Sequence, residues 1–244
     1  AENISGGAGN DTINMASALT ALDTVDGGDG TDTLITAAAI ANATILGGVS
    51  NIETIAITGA VGVTLASNIS ATNFDMTSST NNVLTLSAGY TDTVSVFLTT
   101  AAASDATANE DSVINGGTAY ANTTLTVYGE ADAFDAGTTL TGGTGTDSLV
   151  ISQKATSGNA TAKIDGDITG FENITVTDTA GNNTGGVTLD INDSAYATAL
   201  TIDTSALDAG EADTIQAGNA AVALTVTAGE GISTIDTGTN ADNI

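Results

Sequence analysis

Cysteine, histidine, proline, tryptophan and arginine are all missing from the 244 residues, and lysine occurs only as Lys154 and Lys163. Without cysteine there is no disulfide framework and no thiolate metal site. Without histidine the usual general base and the commonest zinc ligand are gone, and a Ser-His-Asp triad cannot form. Carboxylate pairs alone do not argue for a glycosidase, because so acidic a chain places some at catalytic spacing by chance. The chain is not expected to be an enzyme. Twenty-nine acidic residues against two lysines give a formal charge of −27, which repels nucleic acid and anionic membrane surfaces. No apolar run approaches the roughly 18 residues of a membrane span. The opening residues AENISGG lack the basic and apolar regions of a signal peptide, and a piece of a longer protein is expected.

What remains is apolar enough to fold. Hydrophobic residues make up 41% of the chain, many of them β-branched, more than a solvated acidic tail carries. A fold that needs cations to neutralise it is the better account. Short alternating runs recur at Ile55-Ala56-Ile57-Thr58, Leu84-Thr85-Leu86, Val94-Ser95-Val96, Leu125-Thr126-Val127, Ile174-Thr175-Val176, Val187-Thr188-Leu189, Leu200-Thr201-Ile202 and Leu224-Thr225-Val226, the pattern of half-buried strands. Only Met15 to Leu22 and Ala37 to Leu46 read as short helices, the second equally well as loop.

The chain also repeats. Asp92-Thr93-Val94 matches Asp213-Thr214-Ile215, and Asn51-Ile52 matches Asn173-Ile174, at offsets near half the chain length. This predicts tandem units of approximately 1–121 and 122–244 in one continuous solenoid spanning 1–244. Within the first unit, acidic anchors at Asp11, Asp32, Glu53, Asp92, Asp111 and Asp132 imply a coil of about 20 residues, the size of one solenoid rung. The predicted fold is an all-β, right-handed parallel β-solenoid, β-roll or β-helix-like, with irregular loops and little helix.

Three segments share a finer pattern: GGAGNDTI from Gly6, GGDGTDTL from Gly27 and GGTGTDSL from Gly142. The glycines allow positive φ, the sixth-position Asp offers a hard anionic oxygen, and the apolar residue two places on starts a strand. These segments resemble the calcium-binding nonapeptide of the RTX family of secreted repeat proteins. The resemblance implies several bound Ca2+ ions, with Asp11, Asp32 and Asp147 as side-chain ligands. Carbonyls of Gly7, Gly9, Gly28, Gly30, Gly143 and Gly145 would complete the shells, with Asp26 and Asp29 adding oxygens at the second turn. Calcium takes six to eight oxygens, so two turns on adjacent rungs would share an ion. For the weaker turns at Asp92, Asp111, Asp132, Asp213 and Asp242 two roles stay open: metal ligand, or Asx turn at a strand start.

Tandem units, calcium turns and few reactive side chains point to a structural, calcium-dependent, self-assembling surface protein, such as an S-layer subunit or extracellular fibre. RTX-type S-layer proteins are similar in carrying FENI-like segments (Phe171 to Ile174 here) between calcium turns. Secretion to the cell surface, by a bacterial type I route, follows from the same resemblance. The expected partners are copies of the chain in a lattice or filament, and cell-surface polysaccharide, with no nucleic acid and no membrane insertion. One alternative is a calcium-stiffened adhesin stalk or carbohydrate-binding module, with Tyr90, Tyr120 or Tyr196 as a sugar platform. Another is an ice-binding solenoid, suggested by outward threonines (Thr58, Thr126, Thr175, Thr177, Thr225, Thr227) whose ranks read as interrupted.

Overall fold

Thr54-Ile55-Ala56-Ile57 displays the rule by which this chain folds. Ile55 and Ile57 are buried while Thr54 and Ala56 are half-exposed, because successive side chains of a strand leave opposite faces. Repeated along the chain, this alternation winds it into an all-β parallel β-solenoid with almost no helix, seen in a computed structural model. The structure describes residues 1–38, 44–59, 62–65, 69–77, 83–86, 93–98, 113–115, 124–134, 138–143, 145–152, 160–165, 167–177, 186–191, 199–207, 213–219, 221–230, 232–237 and 242–244.

One long sheet organises everything else. Its ten parallel strands, each bonded to the next, are Thr12–Ala16, Thr33–Thr36, Thr54–Ile57, Asn73–Met76, Val94–Leu98, Leu125–Glu130, Ser148–Ser152, Asn173–Thr177, Leu200–Asp203 and Leu224–Thr227. Three shorter parallel sheets close the coil. They comprise Asn3–Ala8, Thr24–Asp29 and Val49–Ser50; then Gly62–Leu65, Val83–Leu86, Val113–Asn115, Thr139–Thr141 and Ile168–Thr169; then Ala160–Lys163, Val187–Asp190, Asp213–Gln216 and Ile232–Asp236. Inward side chains from the long sheet and from the shorter ones merge into a single core, with Phe74, Phe134 and Phe171 its largest members. Each such side chain contributes about 1.5–3 kcal/mol by leaving water.

Three sequence readings need correction. Met15 to Leu22 is not helical: the strand runs to Ala16, whose φ of 45° ends it, and turns follow. Asp23 fixes that turn by accepting hydrogen bonds from the N–H and Oγ1 of Thr20 at 2.7 and 2.9 Å. In the second stretch, residues 44–48 are turn and 39–43 lie outside the described residues. The match of Asn51-Ile52 to Asn173-Ile174 is out of step: Asn51 sits in a corner, while Asn173 begins a long-sheet strand, as Thr54 does. A 3-10 turn at Ala131–Ala133 had no counterpart in the sequence reading.

Candidate functional site

Parallel strands joined by tight bends leave backbone N–H groups at each bend without a ladder partner, and a buried orphan donor costs about 1–3 kcal/mol. This chain meets that need with carboxylates. Asp32 Oδ1 accepts the N–H of Asp11 from the preceding coil at 2.7 Å, and Glu53 Oε2 in turn accepts the N–H of Asp32 at 2.7 Å. Farther along, Asp147 Oδ1 accepts from Leu125 at 2.7 Å and Glu172 Oε2 accepts from Asp147 at 2.8 Å. Asp242 serves Leu224 in the same way at 2.9 Å. On the shorter sheets Asp23 serves Glu2 and Asp213 serves Val187. Asp32, Asp147 and Asp213 are 0% exposed. Asp32, Glu53, Asp147, Glu172, Asp242, Asp23 and Asp213 are therefore inter-coil clasps. For Asp213 and Asp242 the Asx-turn reading had the right bond type, but the donor belongs to the neighbouring coil.

Two kinds of corner occur in this column. The glycine turn Gly6–Asp11 stacks on Gly27–Asp32: Gly9 donates to the carbonyl of Asp29 at 2.7 Å, and Thr31 donates to Asn10 Oδ1 at 3.0 Å. Gly7, Gly9, Gly28 and Gly30 all have φ between 102° and 146°, which L-residues rarely adopt. The next corner is shorter. Asn51, at φ 50°, is followed by buried Ile52 and then Glu53. The third glycine turn, Gly142–Asp147, meets the same short corner: Gly170 at φ 74°, buried Phe171, then Glu172. Glutamate replaces aspartate where the bend is shorter, because its extra methylene lets the carboxylate reach back to the neighbouring N–H. The described residues thus hold one directly stacked pair of glycine turns, not three.

That pair leaves two carboxylate oxygens over. Oδ2 of Asp11 and Oδ2 of Asp32 are both buried and accept no hydrogen bond from the described residues, an arrangement that costs a charged group heavily unless something cationic faces it. No three carboxylates converge among the described residues, so an ion here would draw most ligands from main-chain carbonyls. The other sequence-predicted ligands are placed differently. Asp26 Oδ1 accepts from Asn51 Nδ2 at 2.8 Å, and the Asp29 side chain is exposed. Asp147 uses both oxygens internally, with Oδ2 accepting from the Gly143 N–H at 2.6 Å; Gly145 is half-buried in the same turn. Asp132 lies in the 3-10 turn beyond the strand, outside the corner column. Asp92 and Asp111, with Tyr90, Tyr120 and Tyr196, lie outside the described residues.

Burial raises the Asp147 carboxyl above its ordinary value, outweighing the N–H groups of Leu125 and Gly143. Asp23 and Asp203 are lowered, Asp23 first by the Glu2 N–H and Asp203 by the Ser205 hydroxyl and N–H. The signs oppose. A raised carboxyl holds its proton more tightly when folded, so its contribution to stability falls as pH rises from the ordinary value of 3.8 through the folded one. The lowered pair contribute stability above the ordinary value and lose it as pH falls. In metal-free protein, the stability difference between wild type and Asp147→Asn is expected to shift against wild type as pH rises through that window. Thermal melts across the acidic range check this; a pH-independent difference would contradict it.

The outward face of the long sheet is the second feature sequence reading did not resolve. Its first outward rank runs in register through all ten strands: Thr12, Thr33, Thr54, Asn73, Ser95, Thr126, Ser148, Asn173, Thr201 and Thr225. Every position is a small hydroxyl or amide residue. The second rank is mixed, changing from Asn14, Ile35, Ala56 and Asp75 through Phe97, Tyr128 and Val150 to Thr175, Asp203 and Thr227. The threonines singled out by sequence divide among columns: Thr126 and Thr225 stand in the first rank, Thr175 and Thr227 in the second. As ranks of threonine both are interrupted, the first only by Asn73, Ser95, Ser148 and Asn173, the second by apolar, aromatic and acidic residues.

The bacterial antifreeze protein repeat family matches residues 139–186. That stretch holds the third glycine turn, the Phe171-Glu172 corner and the strands Ser148–Ser152 and Asn173–Thr177. No curated protein and no solved structure matches the chain. The chain is a repeat solenoid containing an antifreeze-type repeat.

Proposed function

We propose that this chain is an extracellular ice-binding module, with the outward face of the long sheet as its working surface. The observation that carries this reading is the unbroken rank of ten Thr, Ser and Asn side chains. Strands in a sheet repeat about every 4.8 Å, close to an oxygen repeat of ice, so a rank of short hydroxyls and amides on a stiff sheet can hold water in ice-like positions. The antifreeze-type repeat at residues 139–186 supports the same reading and favours a bacterial, surface or secreted setting. Thr12, Thr201 and Thr225 are the exposed members of the rank, and Thr201 and Thr225 are adjacent in register. The protein is expected to partition into a growing ice hemisphere and to show thermal hysteresis. Thr201→Lys with Thr225→Lys should lower both several-fold with an unchanged circular dichroism spectrum. Wild-type protein left wholly in the liquid would sink the reading.

A second reading, a calcium-dependent S-layer or fibre subunit, is favoured by the buried, partnerless Oδ2 atoms of Asp11 and Asp32. Here Ca2+ bound by Asp11, Asp32 and nearby glycine carbonyls would stiffen the coils and join copies of the chain, and type I secretion would deliver it. An adhesin stalk would use the same ion for stiffness. Ordered arrays seen by electron microscopy only when calcium is present would favour this reading over the first.

A further inference from the structure

Midway along the long sheet the second rank stops being small. Phe97 and Tyr128 stand in register on adjacent strands with their rings stacked, centroids 4.8 Å apart and planes 14° from parallel. Both are half-exposed. Two open depressions, of about 250 and 380 Å3, meet at this pair and share Thr77 and Phe97. One includes Asp75, whose Oδ1 accepts the Thr77 N–H at 2.9 Å and the Thr77 hydroxyl at 2.6 Å, so the carboxylate is held in place beside the ring. The other includes Glu130.

We propose that this groove binds a neutral polysaccharide chain. Sugar rings combine an apolar C–H face with hydroxyl donors, and the groove offers the complement: aromatic rings for the face, carboxylates and hydroxyls for the donors. Charge selects among glycans. No lysine lines either depression, and the chain's −27 charge repels acidic ones. Shape selects as well. The lining runs from Thr54 to Thr177 over six consecutive strands, about 24 Å at a spacing of ~4.8 Å, room for several sugar units laid across the strands. The lining includes Thr54 and Asn73 of the first hydroxyl rank, so a glycan and ice would compete for this stretch of the face, but the proposal does not rest on the ice reading.

Native electrophoresis through gels containing mixed-linkage β-glucan or glycol chitin tests it, with alginate as the acidic comparator. At least one neutral gel is expected to retard the protein, while alginate does not. Phe97→Ala should weaken retardation at least tenfold and Phe97→Trp should retain it. Asp75→Asn should weaken it by a smaller factor. These side chains face outward, so circular dichroism should be unchanged in all three variants. Migration unaffected by either neutral polysaccharide, equal retardation in alginate, or full retardation of Phe97→Ala would each overturn the proposal.

Discussion

In excess EGTA the protein is expected to melt about 5–10 °C lower than with millimolar calcium. The physical cause is local. Among the described residues, the buried Oδ2 atoms of Asp11 and Asp32 accept no hydrogen bond, and the chain carries −27 overall. A cation present at about 100 times its dissociation constant adds roughly 2.7 kcal/mol per site, a large part of the ~5–15 kcal/mol that holds a domain together. Asp32→Asn separates this effect from general electrostatics. The amide oxygen keeps the clasp on the Asp11 N–H, while the nitrogen takes the position of the orphaned oxygen and removes its charge. Without calcium the variant should melt at or above wild type; with calcium it should lose most of the wild-type gain. Identical wild-type melts with and without the ion would remove metal from the account.

Gly27→Val should be among the most damaging substitutions in the corner column, costing about 3 kcal/mol or more. A Cβ at Gly27 would overlap the carbonyl oxygen of Asn51 and come within 2.6 Å of Asp32 Oδ2. Neither neighbour can yield: one is backbone of the next coil, the other an inter-coil clasp. Overpacking against flexible side chains costs about 1–3 kcal/mol, and rigid partners put this case at the top of that range. The same crowding exists at Gly142, against the carbonyl of Gly170 and Asp147 Oδ2. Urea denaturation of Gly27→Val beside Gly62→Val provides the comparison, since a Cβ at Gly62 meets nothing within 4 Å. Equal losses would mean that the close stacking of turns carries no weight.

Much of the fold was legible because period-two burial is written directly in the residues. Val94-Ser95-Val96 and Leu224-Thr225-Val226 each announce a strand, and both belong to the long sheet. The first two glycine turns were equally plain, since their φ values exclude most other residues. What the carboxylates do was harder to read. Asp11, Asp32 and Glu53 mark the same corner at intervals of 21, but spacing alone does not say whether a carboxylate faces a metal or an N–H. Asp132 broke the series because its coil carries a 3-10 turn after the strand. The hydroxyl rank was hidden for another reason. Coil length varies from 19 residues between Thr54 and Asn73 to 31 between Ser95 and Thr126, so no fixed period through the sequence aligns the ten residues. Register is set by hydrogen bonds at the corners, not by counting.

That last property gives the scaffold an unusual tolerance. Because each clasp resets its coil independently, residues can be added on the far side of the tube without displacing the lined-up hydroxyls. The chain behaves like a spiral-bound notebook, whose pages differ in width yet share one straight spine. Foreign peptides grafted opposite that spine should leave the outward columns undisturbed, making the molecule a ruler with interchangeable attachments.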